Sequence, residues 1–356
     1  MKIVHLISGL GLGGAEKNLT EIVLSDTKNE NIIISLTDAN YFHKKIKKKI
    51  KVEFLDFKNG NFFVNLLRLV NLMIRHKPHV INSWMYHANL ITIIFIFSKI
   101  KIIWNVRHSK LIDKESKKFK IYEKIHILFS YFVPKIIVFN SKKSKDHYLN
   151  LGVPLKKTIV IQNGIKLNLS SLHYKKKNNT IKLGMAARWN LNKDFRLLFE
   201  CLNVLKKKNY NFIIYLCGHN MDNKNHELKK LIIRFNLNNH IRLLGKLEKM
   251  EQFYKNIDIN LLVSKSESFP NVIIEAGMNG VYSIASDVGD IKYSFSKYVG
   301  IFKNKNMFLS LLEKTVVDIN SNNINLINKK IQFRNLIKKR YSIKHQLNSY
   351  KNLYSV

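Results

Sequence analysis

Short apolar runs rich in Ile and Val alternate with longer amphipathic stretches along most of this chain. Lys2–Ser8, Ile32–Leu36, Val52–Leu55, Val80–Ser83, Ile102–Val106 and Ile136–Asn140 read as buried strands, and Ala15–Leu24 and Val64–Arg75 between them read as helices. Strand, helix, strand in that order is the pattern of βαβ units around a parallel sheet. The alternation lapses across Leu167–Thr180, which is polar, basic and without period. It restarts with Ile181–Ala187, Phe212–Cys217, Ile241–Leu244, Ile259–Val263 and Ser283–Ser286. The reading is α/β: two doubly wound Rossmann-like domains, 1–166 and 181–337, joined by a linker over 167–180. A length of 356 residues suits two domains of ordinary size. Two such domains imply a cleft, with ligands held beyond the carboxyl ends of the strands.

Composition excludes several classes. Hydrophobic residues make up 46% of the chain, enough to build a core, and 14 Gly with 4 Pro exclude a collagenous or low-complexity chain. Two cysteines, Cys201 and Cys217, cannot form a disulfide framework or a four-thiolate zinc site, and read as buried thiols in a reducing compartment. The N-terminal Met1–Ser8 runs into glycines without a cleavage pattern. The apolar stretch Leu90–Trp104 is broken by Lys99 and Lys101, too short to span a bilayer and better read as a helix end followed by a strand. The net charge of +37 admits two readings: an anionic partner, or lysines that accompany the abundant Ile and Asn and have no partner. A nucleic-acid binder would need aromatics interleaved with basic residues or a helix-turn-helix, and neither is present.

Three segments after strands carry chemistry. Gly9-Leu10-Gly11-Leu12-Gly13-Gly14-Ala15-Glu16 lets the backbone approach a ligand at a helix start. Its spacing is out of step with the dinucleotide fingerprint, and a ligand-free turn explains it equally well. In Gly184–Asp194, Arg188 and Lys193 follow a strand and precede a helix; two fixed cations there can hold a diphosphate, or be solvated surface charges. Ser266-Glu267-Ser268-Phe269-Pro270-Asn271-Val272-Ile273-Ile274-Glu275 is the sharpest. Ser268 can cap a helix and Pro270 suits its first turn. Glu267 then sits on the loop and Glu275 in the second turn. The helix entrance offers N–H donors to phosphate and carboxylates to hydroxyls.

With Glu267 and Glu275 separated by seven residues, the chain resembles the retaining glycosyltransferases of family four, which have the GT-B fold. Further motifs carry the resemblance: Gly13-Gly14-Ala15-Glu16, Val160-Ile161-Gln162-Asn163-Gly164-Ile165, Gly184 to Asp194, and Asp287-Val288-Gly289. The tail, 338–356, is similar to the family's final helix that crosses back to the first domain. Tyr282, Asp290 and Gly277-Met278 depart from the family pattern, which bears on the donor more than on the reaction.

The resemblance implies transfer of a sugar from a nucleotide-sugar donor with retention, without metal or cofactor; no Asp-x-Asp pair occurs in the chain. It implies Glu275 on the ribose hydroxyls, Glu267 at the donor sugar, and Arg188 and Lys193 on the leaving diphosphate. Backbone around Gly13, Gly14, Phe269, Pro270 and Asn271 would serve phosphate and sugar. His108 would stand beside the donor sugar, with His87 and Glu16 on the acceptor side; either histidine can equally be a structural hydrogen-bonder. The expected role is surface polysaccharide synthesis (O-antigen, capsule or lipopolysaccharide) with a lipid-linked acceptor. Alternatives in the same fold are a nucleotide-sugar epimerase or a glucan synthase with a soluble acceptor. The expected location is cytoplasmic, peripheral on an anionic membrane, with Lys114–Lys124 as docking segment and Lys44–Lys51 as a weaker one whose Ile46 and Ile50 suit the core.

Overall fold

The computed structural model describes residues 1–11, 13–37, 41–107, 117–167 and 180–355. The chain divides into two compact units: an N-terminal unit of Met1–Lys166 with Tyr341–Val356, and a C-terminal unit of Leu167–Arg340.

The N-terminal unit is built on seven parallel strands: β1 Lys2–Ile7, β2 Glu30–Ser35, β3 Lys51–Phe54, β4 Val80–Trp84, β5 Lys101–Val106, β6 Ile136–Phe139 and β7 Thr158–Val160, in the order β3-β2-β1-β4-β5-β6-β7. The register sets Ile3 opposite Asn31 on one side and Val80 on the other. The C-terminal unit has β8 Ile181–Ala186, β9 Phe212–Cys217, β10 Ile241–Gly245, β11 Ile259–Leu262, β12 Tyr282–Ser286 and β13 Gly300–Phe302, in the order β10-β9-β8-β11-β12-β13. These are the two doubly wound Rossmann-like sheets expected from the alternation. Helices cover both faces, so central strands such as β4 and β11 are buried at every position, including the polar Asn82, Ser83 and Asn260 within them. The pattern missed β7 and β13. Each has three residues at a sheet edge, too few to show a period.

Local signals set the helix ends. Asn61 accepts from the Val64 N–H at 3.1 Å to start Phe62–His76, which stops where Lys77 turns left-handed at φ +46 before Pro78. The Asp194 carboxylate accepts from the Leu197 N–H at 3.1 Å to start Phe195–Lys207. Leu90–Trp104 resolves into the helix Tyr86–Ile91, a 3-10 turn Thr92–Phe95 and β5.

The tail belongs to the N-terminal unit, but the crossing falls later than residue 338. Lys338–Arg340 finish the helix Ile324–Arg340, whose Phe333 and Ile337 pack so tightly on Gly277 that a Cβ there would lie 2.4 Å from Phe333. The final helix is Ile343–Ser355. Its Leu347, Tyr350 and Leu353 are buried against the helix Gly14–Ser25 side of the first sheet, and each such apolar side chain contributes about 1.5–3 kcal/mol. Polar contacts fix it further. The Gln346 amide oxygen accepts from the Gly164 N–H and from Asn18, each at 2.8 Å. A Cβ on Gly164 would stand 2.5 Å from the Ser342 carbonyl oxygen. Arg107, buried over the Trp84 ring at 4.3 Å, donates to Asn163 at 2.6 Å and to the Tyr350 hydroxyl. The Asn163-Gly164 motif therefore fastens the returning helix.

Both cysteines are free and buried, and burial pushes each thiol up to about 12. No helix among the described residues is long and apolar enough to cross a membrane.

Candidate functional site

In the C-terminal unit the strand order reverses between β8 and β11, so helices leave their carboxyl ends toward opposite faces and open a crevice there. The loop after β8 carries Arg188 and Lys193, and the loop after β11 carries Glu267. Main-chain bonds join the two: Asp194 N–H to the Val263 carbonyl at 3.0 Å, and Lys265 N–H to the Asn192 carbonyl at 2.8 Å. Lys193 and Ser264 form an isolated antiparallel bridge.

That pairing aligns three side chains. The Lys193 ammonium makes an ion pair with the Glu267 carboxylate and lies 3.2 Å from the Ser264 hydroxyl, which donates to Glu267 Oε1 at 3.0 Å. Lys193 and Glu267 side chains are only 14% and 19% exposed, so the pair is screened less than a surface bridge. Ser264 is fixed from behind, its N–H donating to the Ser286 hydroxyl at 2.9 Å. Two neighbouring loops close in by glycine. Gly289, after β12, has φ +54, and a Cβ on it would lie 2.6 Å from the Ser268 carbonyl oxygen. Gly218, after β9, has φ +137, and its Cβ would lie 1.9 Å from the Ala187 carbonyl oxygen. Loops after four strands thus meet at one edge of the sheet.

Glu275 lies in the second turn of the helix Asn271–Met278. Tyr254 Oη donates to Glu275 Oε2 at 3.1 Å. Tyr254 is buried, and burial followed by the Glu275 charge holds its hydroxyl well above the usual range, so it stays protonated and donating. The expected cap is displaced. Pro270, not Ser268, is the N-cap, and its ring carries no acceptor for a side-chain cap bond. Phe269 points into the core against Phe295, and Pro270 has no N–H, so what these residues offer a ligand is main chain and shape. Arg188 is exposed and has no ion-pair partner among the described residues, whereas Lys193 is engaged with Glu267.

In the N-terminal unit Gly13 caps the helix Gly14–Ser25 in extended conformation, with Glu16 in the first turn. A Cβ on Gly13 would fall 2.1 Å from the Glu16 carboxylate, which therefore folds back over the helix start as in a capping box. His87 is exposed on the helix Tyr86–Ile91, its ring 6.1 Å from Tyr122. His108 lies outside the described residues. So Lys193 and Glu267 meet directly, Arg188 and Glu275 belong to the same unit, and Gly13, Gly14, Glu16 and His87 belong to the other.

Sequence reasoning missed two participants, Ser264 and Tyr254, and one strained position in the N-terminal unit, Met85. Ser264 stands three residues before Glu267 and was readable as a loop hydroxyl after a strand. Tyr254 and Glu275 are 21 residues apart, a pairing no period indicates. Met85, just after β4, adopts φ +74 and ψ 164, a conformation costly for any residue but glycine, and nothing in its side chain signals it.

Comparison with known proteins agrees with this frame. HepE of Anabaena, crystallised with UDP-glucose, superposes with a TM-score of 0.84 over the whole of both chains at 18% identity. A glycosyltransferase of Rickettsia africae superposes at 0.78, covering 99% of this chain and 97% of that one at 19% identity. The fold is GT-B. Residues 13–169 match the model described as Glycosyltransferase Family 4 and residues 172–315 that described as Glycosyl transferases group 1. The chain belongs to this glycosyltransferase family. Among curated relatives, the capsular polysaccharide biosynthesis glycosyltransferase CapH of Staphylococcus aureus is 22% identical over 329 residues, 88% of each chain. The O-antigen biosynthesis glycosyltransferase WclY of Escherichia coli is 25% identical over 234 residues, 63% of this chain and 62% of that one.

Proposed function

We propose that this chain is a retaining, metal-independent glycosyltransferase that moves a sugar from a nucleoside-diphosphate sugar to a lipid-linked saccharide during surface polysaccharide synthesis. The observation that carries the reading is the Lys193–Ser264–Glu267 cluster at the strand reversal of the C-terminal unit, followed by a helix without a side-chain cap that carries Glu275.

In this reading the diphosphate lies against the entrance of the helix Asn271–Met278, whose dipole favours negative charge. Arg188, exposed on the neighbouring loop, reaches the leaving phosphate. Lys193 shares its charge between Glu267 and the ligand, so Glu267 is held in place to accept hydroxyls of the donor sugar. Glu275, oriented by the Tyr254 hydroxyl, accepts ribose hydroxyls. Charge on the departing diphosphate grows toward the transition state, and fixed cations and N–H groups meet it there. With two cations present, that stabilisation needs no metal. Gly13 and Gly14 let main chain approach the donor, and His108, His87 and Glu16 serve the sugar and acceptor side. The names of CapH and WclY support a polysaccharide product, and the UDP-glucose complex of HepE supports a nucleotide-sugar donor. The proposed location is the inner face of the cytoplasmic membrane.

The test is incubation of the full-length protein with a panel of nucleoside-diphosphate sugars, with and without EDTA and with membrane lipid extract as acceptor. Donor turnover that survives EDTA and yields glycolipid with retained configuration is expected. A strict divalent-metal requirement, or epimerised donor without transfer, would contradict the reading.

A further inference from the structure

The helix Phe62–His76 is apolar on two opposite faces. Leu69, Leu72 and Met73 are buried against the first sheet. Phe63, Leu67 and Ile74 recur at steps of four and seven, which places them in one line on the other side, while Val70 between them packs partly on the core. Phe63, Leu67 and Ile74 are 73%, 66% and 64% exposed. At 1.5 Å per residue the line is about 16 Å long. A helix on the surface of a globular domain normally turns polar residues outward.

The helix itself carries Arg68 and Arg75 and no acidic residue; Glu53 lies 3.8 Å from its buried His76, and Asp56 stands in the turn before it. No Asp or Glu occurs between Asp56 and Asp113, while Lys58, Arg68, Arg75, Lys77, Lys99 and Lys101 do. Arg68 and Arg75, one heptad apart, are both exposed and lie together along one side of the stripe. The helix leaves the carboxyl end of β3 and returns to the amino end of β4, so Phe62 and Phe63 stand at the same edge of the sheet as the Gly9–Gly14 loop. An apolar line bordered on one side by arginines matches the interfacial region of a bilayer carrying acidic headgroups.

We propose that this face seats the protein on an anionic lipid bilayer. Phe63, Leu67 and Ile74 enter the headgroup layer, and Arg68 and Arg75 meet lipid phosphates. The proposal rests on the lipid-linked acceptor above for its purpose. It moves the principal contact away from Lys114–Lys124, of which residues 114–116 lie outside the described residues. From that segment, Lys120, Ile121 and Tyr122 are exposed on the helix Lys117–Ser130, which packs on the same face of the sheet and can extend the surface.

The experiment is sedimentation of the full-length protein with vesicles of phosphatidylcholine, alone or with about one-third phosphatidylglycerol, at low and high salt. Wild type is expected in the pellet with the acidic vesicles at low salt. Phe63→Ser/Leu67→Ser/Ile74→Ser should lower partitioning about tenfold or more, since the apolar area no longer inserts. Arg68→Glu/Arg75→Glu should lower it about 25-fold or more, at about fivefold for each basic residue removed. Thermal midpoint and nucleotide binding of both variants should match wild type, which separates failure here from failure of the transferase reading. Unchanged partitioning of the apolar variant, or equal binding to neutral and acidic vesicles, overturns the proposal. So does a lipid-free dimer that the triple substitution dissolves while vesicle binding persists, which would give the face to a second copy.

Discussion

The two units share one winding and carry different chemistry on it. At the reversal of the C-terminal unit, the charged side chains of Lys193 and Glu267 meet, and Glu275 lies on the helix that follows. At the corresponding reversal of the N-terminal unit, between β1 and β4, the polar groups are largely amides and hydroxyls. Asn82, Asn105, Asn163 and Tyr350 surround the buried Arg107 and tie down the final helix. The surfaces differ too. Among the described residues the exposed aromatics are Phe62, Phe63, Phe97, Tyr122, Tyr131 and Phe132 in the N-terminal unit and Tyr293 in the C-terminal unit, whose other exposed apolar side chains, such as Leu191, Ile233 and Ile324, are aliphatic. The same scaffold thus presents a charged, tightly held site in one unit and an apolar, basic exterior in the other. A parallel sheet with helices on both faces fixes where loops emerge and leaves their chemistry open.

Removing the cations of the C-terminal site should break this contrast most severely. Arg188→Ala/Lys193→Ala is expected to lower kcat by about a thousandfold or more, with a smaller rise in donor Kd, because the missing charge matters most in the transition state. Single-turnover kinetics beside calorimetric binding will show the split, and equal losses in both would place the two residues in ground-state binding alone.

The next effect belongs to the N-terminal unit. His5 is fully buried on β1, and burial outweighs its contacts with Asn31 and Asp26 to lower its pKa to about 4 from 6.5. Folded His5 therefore stays neutral where the unfolded chain takes up a proton. Its stability contribution is complete above pH 6.5 and falls as pH drops toward 4, by about 3 kcal/mol in total. Urea titrations across that range should show the loss, and His5→Gln should flatten it. An unchanged slope in the variant would assign acid sensitivity elsewhere.

Much of the frame was legible in the sequence because a parallel strand buried on both faces leaves a short, mostly apolar and β-branched run, and eleven of those runs are long enough to see. β7 and β13 are not. The cluster at Glu267 was legible because its members follow strands and lie close in sequence. Two other features were not. Tyr254 meets Glu275 across separate helices, which no local pattern encodes. The outward stripe of Phe62–His76 has the sequence of extra core, and only the packing distinguishes the apolar line that faces the sheet from the one that faces away.

Two glycines sharpen the comparison at smaller scale. Gly164→Ala would drive a methyl against the Ser342 main chain, 2.5 Å from its carbonyl oxygen, and should cost about 2 kcal/mol by loosening the final helix. Gly13→Ala meets the end of the flexible Glu16 side chain and should cost about 0.5 kcal/mol or less. Thermal unfolding of the pair gives the order, and a reversed order would show that the Asn163-Gly164 motif is not the fastening point.

The central claim is that the C-terminal unit holds the donor through Glu275 and its neighbours. Calorimetric titration of wild type and Glu275→Ala with UDP, GDP and ADP tests it most directly. The account predicts that wild type binds at least one of these and that the variant, with unchanged thermal midpoint, binds it about tenfold or more weakly, the loss of charge-assisted hydrogen bonds to ribose. Equal affinity in a folded Glu275→Ala protein would contradict it.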